Sequence, residues 1–448
     1  MLLVVASVYA HAQGKNPVIL IPGITGSELV NKRTGEKVWF KAIKTGDNNL
    51  RLPISTDLSK DRDDLIPGDV IRTAKIVGIP VTDVYTGFIR AMELRGGYRE
   101  EKWTSPSDEG YHDSLYVYPY DWRLDNVANA RQLIHQIDDL RSRFKRPNLK
   151  FDIVAHSMGG IISRYAAMYG DADLPAGNSK IKPTWAGARY FDKIVLLGTP
   201  NEGAAQSLGA LVDGFTVGGV RLELPFLQDS SKFTVFTLQA VYELLPAPGT
   251  LRAYDEHLEP MDVDLYDPKT WTQYGWDATG DPAFASQFRL VEQRSGPAFF
   301  LMMLARAKRL HEALAAANGR TQGISFYLVG ADCGTALDGI VIYRDARTDK
   351  WKTLFQPKPF TRSDGVKIAD KDLKKVMYSP GDGVVTRRSF EAVTESHAAN
   401  VQSIIAGGGG NFVCEEHDKL AANAKIQDRV ISFLDAKTSA QRGADDHL

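Results

Sequence analysis

Phe151-Asp152-Ile153-Val154-Ala155-His156-Ser157-Met158-Gly159-Gly160 runs directly into the helical stretch Ile161–Met168. Its opening apolar run reads as a short buried strand, and between strand and helix a serine stands among small residues. Bulk at the flanking positions would clash as the chain turns, so the small neighbours let a strained corner push the Ser157 hydroxyl outward. The plainer reading is an N-cap serine that happens to precede two glycines. The strand–turn–helix context instead favours the corner that presents a nucleophile, with Ala155 where glycine is usual.

Four more apolar segments, Pro17–Ile21, Leu115–Tyr118, Lys193–Leu197 and Ile324–Val329, have the continuous hydrophobicity of parallel strands covered on both faces. Val127–Phe144 places Leu133, Ile134, Ile137, Leu140 and Phe144 on one helical face, and Ala421–Leu434 reads as a final helix. Strand and helix in alternation predict a doubly wound, mostly parallel α/β sheet. With Ser157 at its corner, this is the plan of an α/β-hydrolase fold.

Two long intervals break the alternation. The core is expected over 13–200 and 324–435, with a polar, turn-rich, lid-like insertion at about 31–86 that contains Trp39. Residues 201–323 are too long for a simple connection and are expected to form a cap. A strongly apolar helix beginning at Pro297 and stopped by Asn318-Gly319 would offer that cap a greasy surface beside the serine, or simply pack onto the core. Residues 436–448 read as a polar tail.

Composition narrows the function classes. The chain has 448 residues, 43% hydrophobic and 24% charged, with a formal net charge of −1. Nothing in that balance favours nucleic acid. No apolar run reaches the length of a membrane-spanning helix, so any membrane contact is expected to be peripheral. Met1–Ala10 is apolar and Ala10-His11-Ala12 fits a small-x-small cleavage site, so 1–12 reads as a partial signal segment and the protein as secreted or periplasmic. A cytoplasmic protein touching a membrane is the alternative. Two cysteines, Cys333 and Cys414, exclude a cysteine-rich metal site and leave one disulfide or two thiols open. Asp262, Asp264 and Asp267 have an incomplete calcium-loop spacing, so no metal and no cofactor are expected.

A serine nucleophile needs a base, and the base an orienting carboxylate. Chain order on this fold runs Ser, then Asp or Glu, then His. Asp382, in the glycine-flanked turn Ser379-Pro380-Gly381-Asp382-Gly383, is the candidate acid. Of nine histidines, His417 follows Asp382 and stands just before the last helix. His397 lies too close behind the aspartate, His447 is in the tail, and His156 faces away at the corner. Two backbone N–H groups should hold the developing oxyanion: that of Met158, and that of Ile24 in Pro22-Gly23-Ile24-Thr25-Gly26-Ser27.

Together with Tyr120-Asp121-Trp122-Arg123-Leu124, Leu197-Gly198-Thr199-Pro200 and Glu416-His417-Asp418-Lys419-Leu420, these motifs resemble the lecithin:cholesterol acyltransferase family, which includes lysosomal phospholipase A2 and bacterial homologues. The match follows the family's order from about residue 17 to 434. It implies an α/β-hydrolase core, a Ser157–Asp382–His417 triad, a lid near Trp39, and Trp122 and Arg123 at an acyl or head-group pocket. A core tryptophan and a structural salt bridge are the alternative for that last pair. Animal members staple the lid with a disulfide, whereas this chain has no cysteine before Cys333. The activity so implied is hydrolysis of lipid esters through an acyl-serine, the substrate being met at a membrane or micelle surface. O-acyl transfer to an alcohol and hydrolysis of small soluble esters, thioesters or peptides are the alternatives.

Overall fold

The computed structural model describes residues 15–39, 50–74, 82–106, 113–175, 177, 179–214, 231–316, 323–392 and 411–436. The signal segment, His11, His112, His397, His447, Asn318-Gly319, the Gly407–Gly410 loop, the tail beyond 436 and parts of the lid-like insertion lie outside them.

Seven strands form the central sheet: β1 (Val18–Ile21), β2 (Arg99–Glu101), β3 (Ser114–Val117), β4 (Phe151–His156), β5 (Phe191–Leu197), β6 (Ser325–Ala331) and β7 (Asn411–Val413). Their order is β7-β6-β5-β4-β1-β3-β2, and every pairing is parallel. Alternate residues serve opposite faces, as strand geometry requires. Ile19, Ile21, Ile153, Ala155, Ile194 and Leu196 join one buried cluster, which includes α2 (Asn126–Arg143) and α3 (Met158–Tyr169). Val18, Leu20, Val154, Val195 and Leu197 join a second, with α1 (Thr86–Leu94) and α5 (Ala424–Asp435). Both faces are thus covered, and the five strands read from sequence are those at or near the middle of the sheet.

Local chemistry sets the helix limits. Asp125 caps α2 by accepting the Ala128 N–H at 2.8 Å. Asn423 accepts the Lys425 and Ile426 N–H groups, which starts α5 at Ala424. The expected helix from Ala421 is therefore a 3-10 turn, His417–Ala422, followed by a separately capped α-helix. In the cap, α4 (Leu290–Ala315) begins seven residues before Pro297, because the Glu292 carboxylate accepts the Arg289 N–H and opens the helix there.

The cap helix packs one face inward and leaves Leu290, Val291 and Leu301 exposed. Phe299, Phe300, Met303 and Leu304 are buried, against Phe236, Tyr242 and Trp271 among others. Core and cap are fastened by buried polar contacts. Arg306 of α4 pairs with Asp125, Gln239 accepts the Asp125 N–H, and Glu243 accepts the Asn126 N–H. The expected boundary at 323/324 is crossed by hydrogen bonds. Arg252–Tyr254 pairs in parallel with Gly339–Val341 inside a four-stranded sheet that Pro260–Met261 and Lys350–Leu354 complete. Residues from both sides of that boundary therefore build one layer, held by Leu337, Val341, Leu373 and Met377 in a small core of their own.

Cys333, just past β6, and Cys414, just past β7, form a disulfide with a Cα separation of 5.2 Å and a sequence separation of 81. By loop entropy alone, closing a ring of that size restricts the unfolded chain by about 4 kcal/mol.

Candidate active site

The site sits beyond the carboxyl ends of the parallel strands, where this class of sheet leaves room for a ligand. β4 ends at His156, and Ser157 turns the chain into α3 with φ 53° and ψ −126°. That conformation is costly for any residue bearing a Cβ, so the corner survives only because its surroundings fix it. The Ser157 N–H donates to the Leu197 carbonyl of β5 at 2.8 Å. Close packing explains the small residues: a Cβ on Gly160 would overlap the Thr199 side chain, and one on Gly23 would stand 2.8 Å from the Ser157 Cβ.

Three side chains from distant parts of the chain meet here. His417 Nε2 lies 2.8 Å from Ser157 Oγ, and His417 Nδ1 lies 2.7 Å from Asp382 Oδ2. A carboxylate only accepts, so Nδ1 carries the proton and Nε2 is left to accept from the serine hydroxyl. The other carboxylate oxygen accepts the Val384 and Val385 N–H groups at 3.0 and 2.7 Å, while the His417 N–H donates to the Asp382 carbonyl at 2.9 Å. Asp382 is thereby fixed at side chain and backbone alike. Ser157, Asp382 and His417 are all buried.

The electrostatics follow from that geometry. Burial pulls the His417 imidazole down, but the charge and hydrogen bond of Asp382, with Asp418 adding, outweigh it and leave the ring above its ordinary value. Burial pushes Asp382 up, and the His417 charge and hydrogen bond with the two valine amides more than reverse this, so its carboxyl is held below the usual range. Each partner favours the other's charged form.

Of the expected oxyanion donors, Met158 opens α3 directly after Ser157, and Ile24 follows Gly23, which packs on Ser157. Among the described residues neither amide has another backbone acceptor. Trp39 anchors the start of the lid-like insertion beside them by donating its Nε1–H to the Thr25 carbonyl at 2.9 Å. Of the lid-like insertion expected at about 31–86, residues 40–49 and 75–81 lie outside the described residues.

The structure packs Trp122 and Arg123, the residues expected at an acyl or head-group pocket, into the core. Trp122 is buried edge-on against Trp39 at 5.3 Å and donates its Nε1–H to the Ser27 carbonyl. Arg123 has no exposure, and all five of its N–H donors are engaged by Asp121, Asp63 and the Leu50 carbonyl. A guanidinium so saturated has nothing left for a head group; it clasps residues 50–63 to the core. Arg123→Ala is expected to cost about 3 kcal/mol in urea unfolding, because it strands the buried Asp121 carboxylate and the half-buried Asp63. A raised KM with unchanged stability would return Arg123 to the pocket.

The remaining histidines are accounted for locally. His135 and His257 are exposed, and His311 is buried in the cap beside Tyr266. Asp264 and Asp267 each cap a local turn. A cleft of about 370 Å³ lined by Asp138, Arg141, Arg189 and Tyr190 lies by the amino ends of β4 and β5, at the opposite end of the strands from Ser157.

Fold and corner define an α/β-hydrolase. Within that class, the family model described as lecithin:cholesterol acyltransferase matches residues 106–269, a stretch that holds Tyr120-Asp121-Trp122-Arg123 and the Ser157 corner but neither Asp382 nor His417. No curated protein sequence matches the chain. Among solved structures, a chain of the Tle4–Tli4 complex is similar with a TM-score of 0.52 at 14% identity, over 93% of this chain and 97% of that one. The mature Bacillus licheniformis lipase BlEst2 follows at 0.34 and 10%, over 94% and 92%. EstA from Clostridium botulinum stands at 0.35 and 12%, over 95% and 88%. The first likeness shows the shared fold and nothing of substrate; the other two add no weight.

Proposed function

We propose that this protein is a serine acyl hydrolase of lipid esters that works through an acyl-serine. One observation carries the reading: the unbroken line Ser157 Oγ, His417, Asp382 at 2.8 and 2.7 Å, closed at a strained corner. Ser157 attacks the ester carbonyl as His417 takes its proton, and Asp382 steadies the imidazolium. The Ile24 and Met158 amides receive the oxyanion. His417 then protonates the departing alcohol, and a water activated by the same ring releases the acid. The lipid substrate is supported by the family match over residues 106–269. That match equally favours an alcohol in place of water in the second half, which uses the same residues.

The setting we propose is outside the cytoplasm, which the Cys333–Cys414 disulfide supports. No described helix is long and apolar enough to cross a membrane, so the substrate would be met from the surface of a membrane or micelle.

Mass spectrometry of products decides between the acceptors. With phosphatidylcholine vesicles containing a lipid alcohol, Ser157-dependent free fatty acid supports hydrolysis, and an acylated alcohol supports transfer. If wild type and Ser157→Ala give the same products, the lipid reading falls.

A further inference from the structure

A second line of hydrogen bonds passes behind the first, and the reaction above leaves it unused. The Gly23 N–H donates to Tyr85 Oη at 3.0 Å, and Tyr85 Oη lies 2.9 Å from His156 Nδ1. Across the ring, His156 Nε2 lies 2.9 Å from the His417 carbonyl oxygen. The directions are forced. A carbonyl only accepts, so Nε2 carries the proton; Nδ1 of a neutral ring must then accept from the Tyr85 hydroxyl. Burial, with the neighbouring His417 charge second, pushes His156 down to about 3, so the ring stays neutral at any working pH. Its ring packs against that of His417, tilted by 38° with centroids 4.9 Å apart.

This line joins three separate parts of the chain: the loop after β1, the end of β4 and the turn that begins at His417. Gly23 precedes the Ile24 amide, His156 precedes Ser157, and the carbonyl at its end belongs to His417 itself. Tyr85 stands at the start of α1, buried, and its phenol hydrogen-bonds both the loop after β1 and the imidazole at the corner. Were the hydroxyl lost, Nδ1 would have no donor, and the opposite tautomer would set a lone pair of Nε2 against the His417 carbonyl.

We propose that Tyr85 is a positioning residue for acyl transfer: its hydroxyl holds His156 in the Nε2–H tautomer, and through it keeps the oxyanion loop and the base loop in register around Ser157. This rests on the proposed role of Ser157 and His417. A sub-ångström misplacement of groups that must act together is costly in rate without altering how substrate is held.

The test is Tyr85→Phe, with kcat counted per active site by fluorophosphonate titration. A fall of about tenfold to a hundredfold in kcat is expected, at unchanged KM and with melting within a few degrees of wild type. Two variants at His156 separate positioning from packing. His156→Gln keeps an amide N–H near the Nε2 position and is expected to retain more kcat than His156→Asn, whose amide reaches only the Nδ1 position. Adding Tyr85→Phe to His156→Gln should cost less than it does in wild type, because the tautomer no longer matters. Wild-type kcat in Tyr85→Phe overturns the proposal, as does a loss explained by fewer titratable sites or lower stability. Turnover by Ser157→Ala would overturn the role of Ser157 on which this rests, and is read separately.

Discussion

Ser157→Ala is expected to lower ester turnover by about 10⁶-fold, to the level left by binding and oxyanion contacts alone, with the melting temperature essentially unchanged. The reason lies in the backbone. The corner at φ 53° is held by the Ser157 N–H to Leu197 and by the packing around Gly23 and Gly160, none of which needs the hydroxyl. Alanine therefore keeps the corner and loses only Oγ, the atom 2.8 Å from His417 Nε2. His417→Ala should cost nearly as much, and the double variant hardly more than either, since the two groups act as a unit. Fluorophosphonate labelling of the Ser157→Ala protein, or turnover well above background, would place the nucleophile elsewhere.

Asp382→Asn is expected to lower kcat by about 10⁴-fold and to displace the acid limb of the pH–rate profile. The base must be unprotonated to take the serine proton, so activity is present above the folded pKa of His417 and lost as pH falls through it. In wild type that ring lies above the ordinary 6.5, because Asp382 outweighs the effect of burial. Asp382 is itself held below 3.8 and stays charged throughout that fall. With an amide in place of the carboxylate, burial acts almost alone, and the limb should move to lower pH. The profile of kcat/KM from about pH 4 to 9 reads both values. An unmoved limb would mean that another group titrates.

What the sequence disclosed tracks how locally each feature is determined. β4, the corner and α3 could be read because a buried parallel strand is a run of apolar residues and a tight corner demands small ones. Asp382 and His417 were reached through chain order and turn chemistry, 225 and 260 residues from the serine they meet. β2 and β7 were missed: each has three residues at an edge of the sheet, and Arg99-Glu100-Glu101 is wholly charged, as protected edges often are. The sheet spanning the 323 boundary was hidden because Arg252–Tyr254 and Gly339–Val341 find each other only in space. Trp122-Arg123 shows a different limit. A saturated, buried guanidinium and one waiting for a head group have the same letters, and only the positions of Asp63, Asp121 and the Leu50 carbonyl separate them. Tyr85 carries no local signal at all, since the two partners of its hydroxyl, Gly23 and His156, lie 62 and 71 residues away in sequence.

The disulfide between Cys333 and Cys414 encloses Asp382 and ends three residues before His417, while Ser157 lies outside the ring. A protease that severs the chain once between the two cysteines therefore releases nothing. The piece bearing the serine and the piece bearing the histidine remain one covalent molecule, of unchanged migration on a denaturing gel until a thiol is added. Damage of this kind would pass unseen in any preparation judged without reductant, and the first reducing lane would show two bands from a protein that had looked whole.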